Sequence, residues 1–368
     1  MILSRLHLVN YRNYSEESFE FSPGVNVICG KNAQGKTNLL ESIYLLSRGY
    51  SHKTGTLSDM IGFDKDGFFV EGTVDGETGR NMLSVKLSGK KKTTALNRKN
   101  ESRRDAILKV LNTILFEPDD LKIVKDGPEK RRRFMNNEIS GFRPHYQYIL
   151  KNYTKIHSQR NALLKEIKYD RTLAATLDSW DEQLIKYGAP LMRYRIDYLH
   201  RLNRRARELH RELSGGLEEM TLFYQNNLLK ELEDTERIET IFRDQLRISR
   251  QTDIAKGATT YGPHVDDLMI KLNGRDAKKY GSQGQQRTAA ISLKLSQIEI
   301  YREGTGDYPV VLLDDILSEL DDKRQRNILS ILGKTQSFIT CTDSRFIENY
   351  SGVPVKVIGI ENGHQIHA

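Results

Sequence analysis

The spacing of apolar positions changes twice along the chain. From Met1 to about Leu115, apolar residues come in short β-branched or alternating runs, the mark of strands. These are Leu3-Arg5-Leu6-Leu8-Val9, Phe19 to Phe21, Val25-Asn26-Val27-Ile28-Cys29, Phe68 to Thr73 and Leu83-Val85-Leu87, with Asp75-Gly76 as a turn signal. From roughly Arg143 to Asp253 the period lengthens to that of a helix. Tyr146, Ile149, Tyr153, Ile156, Leu163 and Ile167 form one stripe, with Arg160 interrupting it. Leu184, Tyr187, Leu191, Tyr194, Tyr198, Leu202, Ala206, Leu209 and Leu213 form a second. Two such helices bury their stripes against each other as a hairpin. Pro190 lies inside the second run and predicts a kink or restart there. From about Thr259 strands and helices alternate again, and Val310 to Leu313 reads as a buried strand.

The strongest local signal follows the strand Val25 to Cys29. Gly30-Lys31-Asn32-Ala33-Gln34-Gly35-Lys36-Thr37 fits G-x-x-x-x-G-K-[ST], and Asn38-Leu39-Leu40-Glu41-Ser42-Ile43 starts a helix. Glycines let backbone amides wrap phosphates without side chains in the way. Lys36 then places a point charge on the β and γ phosphates, and the Thr37 hydroxyl ligates Mg²⁺. The motif predicts a site for the phosphates of a nucleotide.

Val310 to Leu313 delivers two adjacent carboxylates, Asp314 and Asp315. Burying such a pair without a cation is costly, which favours a metal site. Asp314 is the expected metal holder, and Asp315 orients or deprotonates the attacking water. Between the two motifs lies Gly281-Ser282-Gln283-Gly284-Gln285-Gln286-Arg287, leading into an amphipathic run from Thr288 to Ile300. Serine and glycine at a helix start present unpaired amides that suit an anion. Ser282, Gly284 and Gln285 are therefore candidate nucleotide contacts.

Charge enlarges the picture. The 368-residue chain carries a net charge of +8, and its basic residues cluster. Lys90-Lys91-Lys92 is expected in a hairpin turn, Arg131-Arg132-Arg133 closes a run from Lys122, and Arg204-Arg205 lies in a run from Lys186 to Arg211. Together they predict DNA binding dominated by phosphate contacts, tolerant of sequence. The only cysteines, Cys29 and Cys341, read as core filling; neither a disulfide framework nor a zinc module is expected. No apolar run is long enough to cross a membrane, and Met1-Ile2-Leu3-Ser4-Arg5 opens like a strand rather than a signal peptide, so a cytoplasmic protein is expected.

The order phosphate loop, Ser-x-Gly-Gln helix, acidic strand is the ABC ATPase arrangement. The chain resembles, more closely, the RecF family of bacterial recombination mediators, short-armed relatives of the SMC ATPases. The resemblance rests on Leu8 to Tyr14, Gly30 to Asn38, Phe116 to Leu121, Gly127 to Arg132, Gly262-Pro263-His264, Gly281 to Thr288, Leu313-Asp314-Asp315 and Ser318-Glu319-Leu320-Asp321. Two departures stand out: Val265 follows Gly-Pro-His where the family carries arginine, and Thr340-Cys341-Thr342 stands where many ABC proteins carry a switch histidine.

The resemblance implies an α/β fold: an ABC-type P-loop ATPase head (lobe I) with an inserted α-helical lobe II bearing a short antiparallel arm. Lobe I would comprise residues 1–115 and 301–368, and lobe II residues 116–300. It also implies an ATP-induced homodimer in which Ser282 reaches the nucleotide held by Lys36 of a second copy, with Ser318 to Asp321 as the D-loop at the same seam. A weak DNA-stimulated ATPase follows, acting on duplex, gapped or junction DNA with RecO and RecR to load RecA, in replication maintenance and the SOS response. The inserted basic helices argue against a transporter motor. Intact Lys36, Thr37, Asp314 and Asp315 argue against a vestigial nucleotide site.

Overall fold

The computed structural model describes residues 1–76, 79–228, 237–317, 320–342 and 354–366. Contacts divide the chain into two units, Met1–Asp120 with Gln297–Ala368, and Leu121–Ser296.

The first unit begins with a hairpin, β1 (Ile2–Tyr11) and β2 (Tyr14–Glu20), followed by β3 (Val25–Cys29) and α1 (Lys36–Arg48). Next come β4 (Gly67–Gly76), β5 (Gly79–Ser88), β6 (Lys91–Leu96), β7 (Lys99–Asn100), α2 (Arg104–Val110) and β8 (Thr113–Phe116). The alternating strands form an antiparallel sheet ordered β2-β1-β4-β5-β6-β7. One face of it is covered, as alternation requires.

The second unit runs from α3 (Lys122–Lys125) and α4 (Pro128–Phe142) to the long helices α5 (Pro144–Glu166) and α6 (Leu177–Leu213). It continues through β9 (Met220–Gln225), α7 (Ile238–Lys256), β10 (Asp267–Leu272), β11 (Arg275–Asp276) and α8 (Ala277–Tyr280) into α9 (Gln283–Thr305), whose last turns belong to the first unit. The first unit is then completed by β12 (Val310–Leu313), α10 (Asp322–Leu332), β13 (Ser337–Cys341), β14 (Val355–Glu361) and β15 (His364–Ile366).

These late strands join β3 and β8 in a second sheet, ordered β15-β14-β3-β13-β12-β8. All its pairings are parallel except the β14–β15 hairpin. Every residue of β12 and β13 is buried, which is why β12 reads as an unbroken apolar run. Helix α1 shares one apolar cluster with both sheets: Leu39, Leu40, Ile43, Leu45 and Leu46 pack among residues such as Leu6, Val70, Leu312 and Phe338. Burial on nearly all sides explains why α1 shows no clean polar face. The architecture places the C-terminal ends of β3, β13 and β12 side by side, the usual ligand edge of a parallel sheet.

In the second unit, α5 and α6 form the expected hairpin, with Tyr146 and Tyr194 edge to face at 5.8 Å. Three expectations need correction. Residues 220–225 lie in the zone read as helical but form β9, because Met220, Leu222 and Tyr224 alternate inward and pair with β10. Helix α6 continues through Pro190. A proline inside a helix costs about 3 kcal/mol, whereas each buried side chain of the size of Leu184, Ile185, Leu191 or Met192 contributes about 1.5–3 kcal/mol. Packing wins.

Nor does Arg160 interrupt its stripe. It is fully buried, giving Nε to Asp181 at 2.7 Å and Nη1 to Asp253 at 2.9 Å and to the Thr259 hydroxyl at 2.7 Å. Asp253 is itself fully buried, so Arg160→Met would leave an uncompensated charge. We expect a loss of about 3–5 kcal/mol in denaturant unfolding; a loss below about 1 kcal/mol would show that the cluster contributes no more than a surface pair.

Candidate nucleotide site

The phosphate loop, Gly30 to Gly35, leaves β3 and enters α1 at Lys36. Its curvature needs Gly35, whose φ is +118° and whose missing Cβ would lie 2.7 Å from Asn13 Nδ2 and 2.9 Å from the Tyr14 hydroxyl. Ala33 takes a left-handed φ of 66°. The loop is gripped from outside. Asn13 donates to the Gln34 carbonyl at 2.9 Å, Tyr14 to the Gly35 carbonyl at 2.9 Å, and the Asn362 amide to Gln34 Oε1 at 2.6 Å. Arg12, two residues before Tyr14, clamps the buried Glu41 of α1 through Nε at 2.8 Å and Nη2 at 2.7 Å. Burial alone would raise the Glu41 carboxyl, but Arg12 and the Ser51 hydroxyl hold it below its usual range. The block Leu8 to Tyr14 is thus the brace of the phosphate loop.

Lys36 folds back over the loop, its Nζ donating to the carbonyls of Gly30 at 2.7 Å and Lys31 at 3.0 Å. Lys31, Asn32 and Ala33 are exposed. No side chain caps α1, and no acidic residue occupies its first turn, so the start of the helix suits an anion.

Across 277 residues of sequence, the Thr37 hydroxyl donates to Asp314 Oδ1 at 2.8 Å. A hydroxyl and a carboxylate held together are hard oxygen donors, the set that suits Mg²⁺. The Thr340 hydroxyl adds a second donor to Asp314 Oδ1 at 2.9 Å and accepts the Asp315 amide at 2.9 Å. Asp315 has a left-handed φ of 53°, which turns the chain sharply after β12. Lys53 Nζ lies 4.0 Å from Asp314 Oδ2.

Thr340, Lys53 and His52 were not legible as site residues. Thr340 belongs to the segment Thr340-Cys341-Thr342 that stands where many ABC proteins carry a switch histidine, and its one further signal is a hydroxyl next to the apolar Phe338-Ile339. His52 and Lys53 follow α1 without a periodic pattern. The His52 ring is buried, with neither nitrogen hydrogen-bonded; burial pushes it down to about 4, so it is neutral at pH 7.

The start of α9 is closed by a reciprocal capping box. The Gln285 amide donates to the Ser282 hydroxyl at 3.2 Å, and Gln285 Oε1 accepts the Ser282 amide at 2.8 Å. Gly284 is exposed, and a Cβ there would meet no atom. Among the described residues, nothing in the packing requires that glycine. Of the D-loop segment, Ser318 and Glu319 lie outside the described residues, while Asp321 caps α10 through the Arg324 amide at 3.0 Å.

The basic clusters divide. Lys90, Lys91, Arg133 and Arg204 are exposed. Lys92 is exposed too, and it donates to the Gly49 carbonyl at the end of α1. Arg131 is buried, paired with Asp267 through Nε at 2.7 Å and Nη2 at 2.8 Å, and so is withdrawn from any DNA face. Arg132 is half-buried, with Nη1 on the Asp266 carbonyl at 2.8 Å. Arg205, also half-buried, lies 3.3 Å from Glu208. Three successive arginines cannot share one helical face.

The family model described as RecF/RecN/SMC N terminal domain matches residues 2–366. The DNA replication and repair protein RecF of Halothermothrix orenii is 41% identical over 370 residues, spanning 99% of this chain and 98% of the relative. That of Bacillus cereus is 39% identical over 366 residues, with the same coverage. The recombination mediator protein RecF with ATP, of the RecFOR pathway, superposes with a TM-score of 0.88 at 36% identity, covering 100% of this chain and 98% of that one. An Smc head domain from Pyrococcus furiosus shares the fold, with a TM-score of 0.57 at 17% identity over 99% of this chain and 95% of that one.

Thr340→Val keeps the shape of the side chain but strips a donor from Asp314 and the acceptor of the Asp315 amide. Urea unfolding should show a loss of about 1–3 kcal/mol, with Thr340→Ser close to the parent. Equal stability of all three would mean that the hydroxyl does not hold the carboxylates.

Proposed function

Because the chain belongs to the RecF family of DNA replication and repair proteins, among the RecF/RecN/SMC ATPases, we propose that it is an ATP-gated DNA-binding protein of recombinational repair. The observation that carries this reading is the 2.8 Å contact between Thr37 and Asp314, at the mouth of the Lys36 loop.

Loop amides from Gly30 to Gly35 and the Lys36 ammonium would bind the β and γ phosphates of ATP. Thr37 and Asp314 would hold Mg²⁺, which when bound offsets phosphate charge. Asp315 orients the attacking water and takes its proton. Thr340-Cys341-Thr342, standing where many ABC proteins carry a switch histidine, offers no cation to the γ phosphate, which accords with weak hydrolysis.

Ser282, Gly284 and Gln285 reach the nucleotide of a second copy. The open space at Gly284 supports this, since the lack of a side chain there lets an incoming phosphate approach the backbone of the capped helix start. ATP thus closes a homodimer onto DNA, and hydrolysis opens it. Lys90, Lys91, Arg133 and Arg204 are the exposed cations that best suit duplex phosphates, with gapped or junction DNA as the physiological target. RecO and RecR are the expected partners, and loading of RecA the expected outcome, in replication maintenance and SOS induction at the nucleoid.

Asp315→Asn tests the gate. Hydrolysis should slow about 100-fold while nucleotide binding persists; light scattering should then show a lasting dimer with ATP, and DNA complexes should dissociate more slowly. Loss of nucleotide binding, or hydrolysis at the parent rate, would remove Asp315 from its role.

A further inference from the structure

We propose that Cys29 and Cys341 form an oxidative modification site, a thiol pair that a peroxide converts to an intrachain disulfide beneath the phosphate loop. The pair is set by the sheet. β3 and β13 are parallel neighbours, and Cys341 lies directly opposite Cys29 at their last paired position. Paired strands run about 4.8 Å apart, inside the Cα separations that disulfides span. The two sulfurs are 3.1 Å apart, one thiol hydrogen-bonded to the other. A disulfide of about 2.05 Å therefore requires the sulfurs to close by only about 1 Å.

Cys29 is half-buried and Cys341 buried, which orders the chemistry. Peroxide transfers one oxygen to the Cys29 sulfur, giving a sulfenic acid and one water. The Cys341 sulfur attacks the sulfenic sulfur; the hydroxyl leaves with the Cys341 proton as a second water. Two electrons pass from the thiols to the O–O bond, and one S–S bond forms.

The location gives the bond its effect, and that effect rests on the nucleotide reading above. Cys29 immediately precedes Gly30, whose carbonyl holds Lys36, and Cys341 immediately follows Thr340, which holds Asp314 and Asp315. A covalent tie here joins the strand that carries the loop to the strand that carries the carboxylates' support. It opposes the loop adjustment by which Lys36 leaves two carbonyls for the phosphates.

The test uses the full chain, reduced, freed of reductant and treated with a small excess of hydrogen peroxide. Thiols are counted after unfolding, intact mass is measured, and ATP affinity is determined by titration. Both thiols should disappear together, with a mass loss of two hydrogens, no intermolecular product, and ATP affinity reduced about tenfold until dithiothreitol restores it. Cys29→Ser and, separately, Cys341→Ala should keep ATP affinity through the same treatment. Persisting thiols, a sulfinic acid on Cys29 with Cys341 intact, or crosslinking between chains would overturn the site. A disulfide without change in ATP affinity would overturn its coupling to the loop. Failure of the reduced protein to bind ATP would instead refute the nucleotide reading, while the thiol count would still decide the pair.

Discussion

A carboxylate that must be buried and charged in one place organises the first unit. Asp314 is only 11% exposed, and an ion there costs several kcal/mol unless donors meet it. The hydroxyls of Thr37 and Thr340 meet it on one oxygen, and Lys53 lies near the other. Those donors come from the start of α1, the end of β13 and the segment after α1. They converge only if β3, β13 and β12 pair in parallel with their ends level, so the register of the sheet and the chemistry of the site impose one condition.

The second unit obeys the same electrostatic rule with opposite sign. Arg131, Arg160 and Arg195 are buried, each with acceptors: Asp267 for the first, Asp181 and Asp253 for the second, and the Pro263 carbonyl and Asn136 for the third. Such clusters fix how helices pack, because an arginine fork bonds well in few geometries. A region that looks like a basic surface in composition is partly an internal frame.

This difference explains what was legible beforehand. The phosphate loop, the acidic strand and the Ser-x-Gly helix start were readable as elements because each is a set of particular residues at fixed local spacing. The α5–α6 hairpin was readable from its stripes. The buried arginines were misread because burial depends on distant partners, yet a local clue existed: Arg131 stands in phase with the buried Phe134, Met135, Glu138 and Ile139. Arg195 likewise keeps step with Leu191, Met192 and Tyr198. A cation in phase with an apolar stripe is a candidate for burial. Strand β9 was missed because only six residues carry it, and its alternation is meaningful only beside β10. Thr340 offered only a hydroxyl next to the apolar Phe338-Ile339, since its work is to bond groups brought near by β12.

The central claim is that two copies share each nucleotide site. Its most direct test mixes Ser282→Arg chains, which retain a working loop, with Lys36→Met chains, which retain a working Ser282. Neither alone should form an ATP-dependent dimer or hydrolyse ATP. In a mixed dimer one site carries both lesions and the other carries none, so the mixture should regain activity, roughly a quarter of the parent's for random pairing in a two-fold dimer. Normal dimerisation and hydrolysis by Ser282→Arg alone, or a mixture as inactive as its components, would contradict the shared site and leave Ser282 as a helix cap.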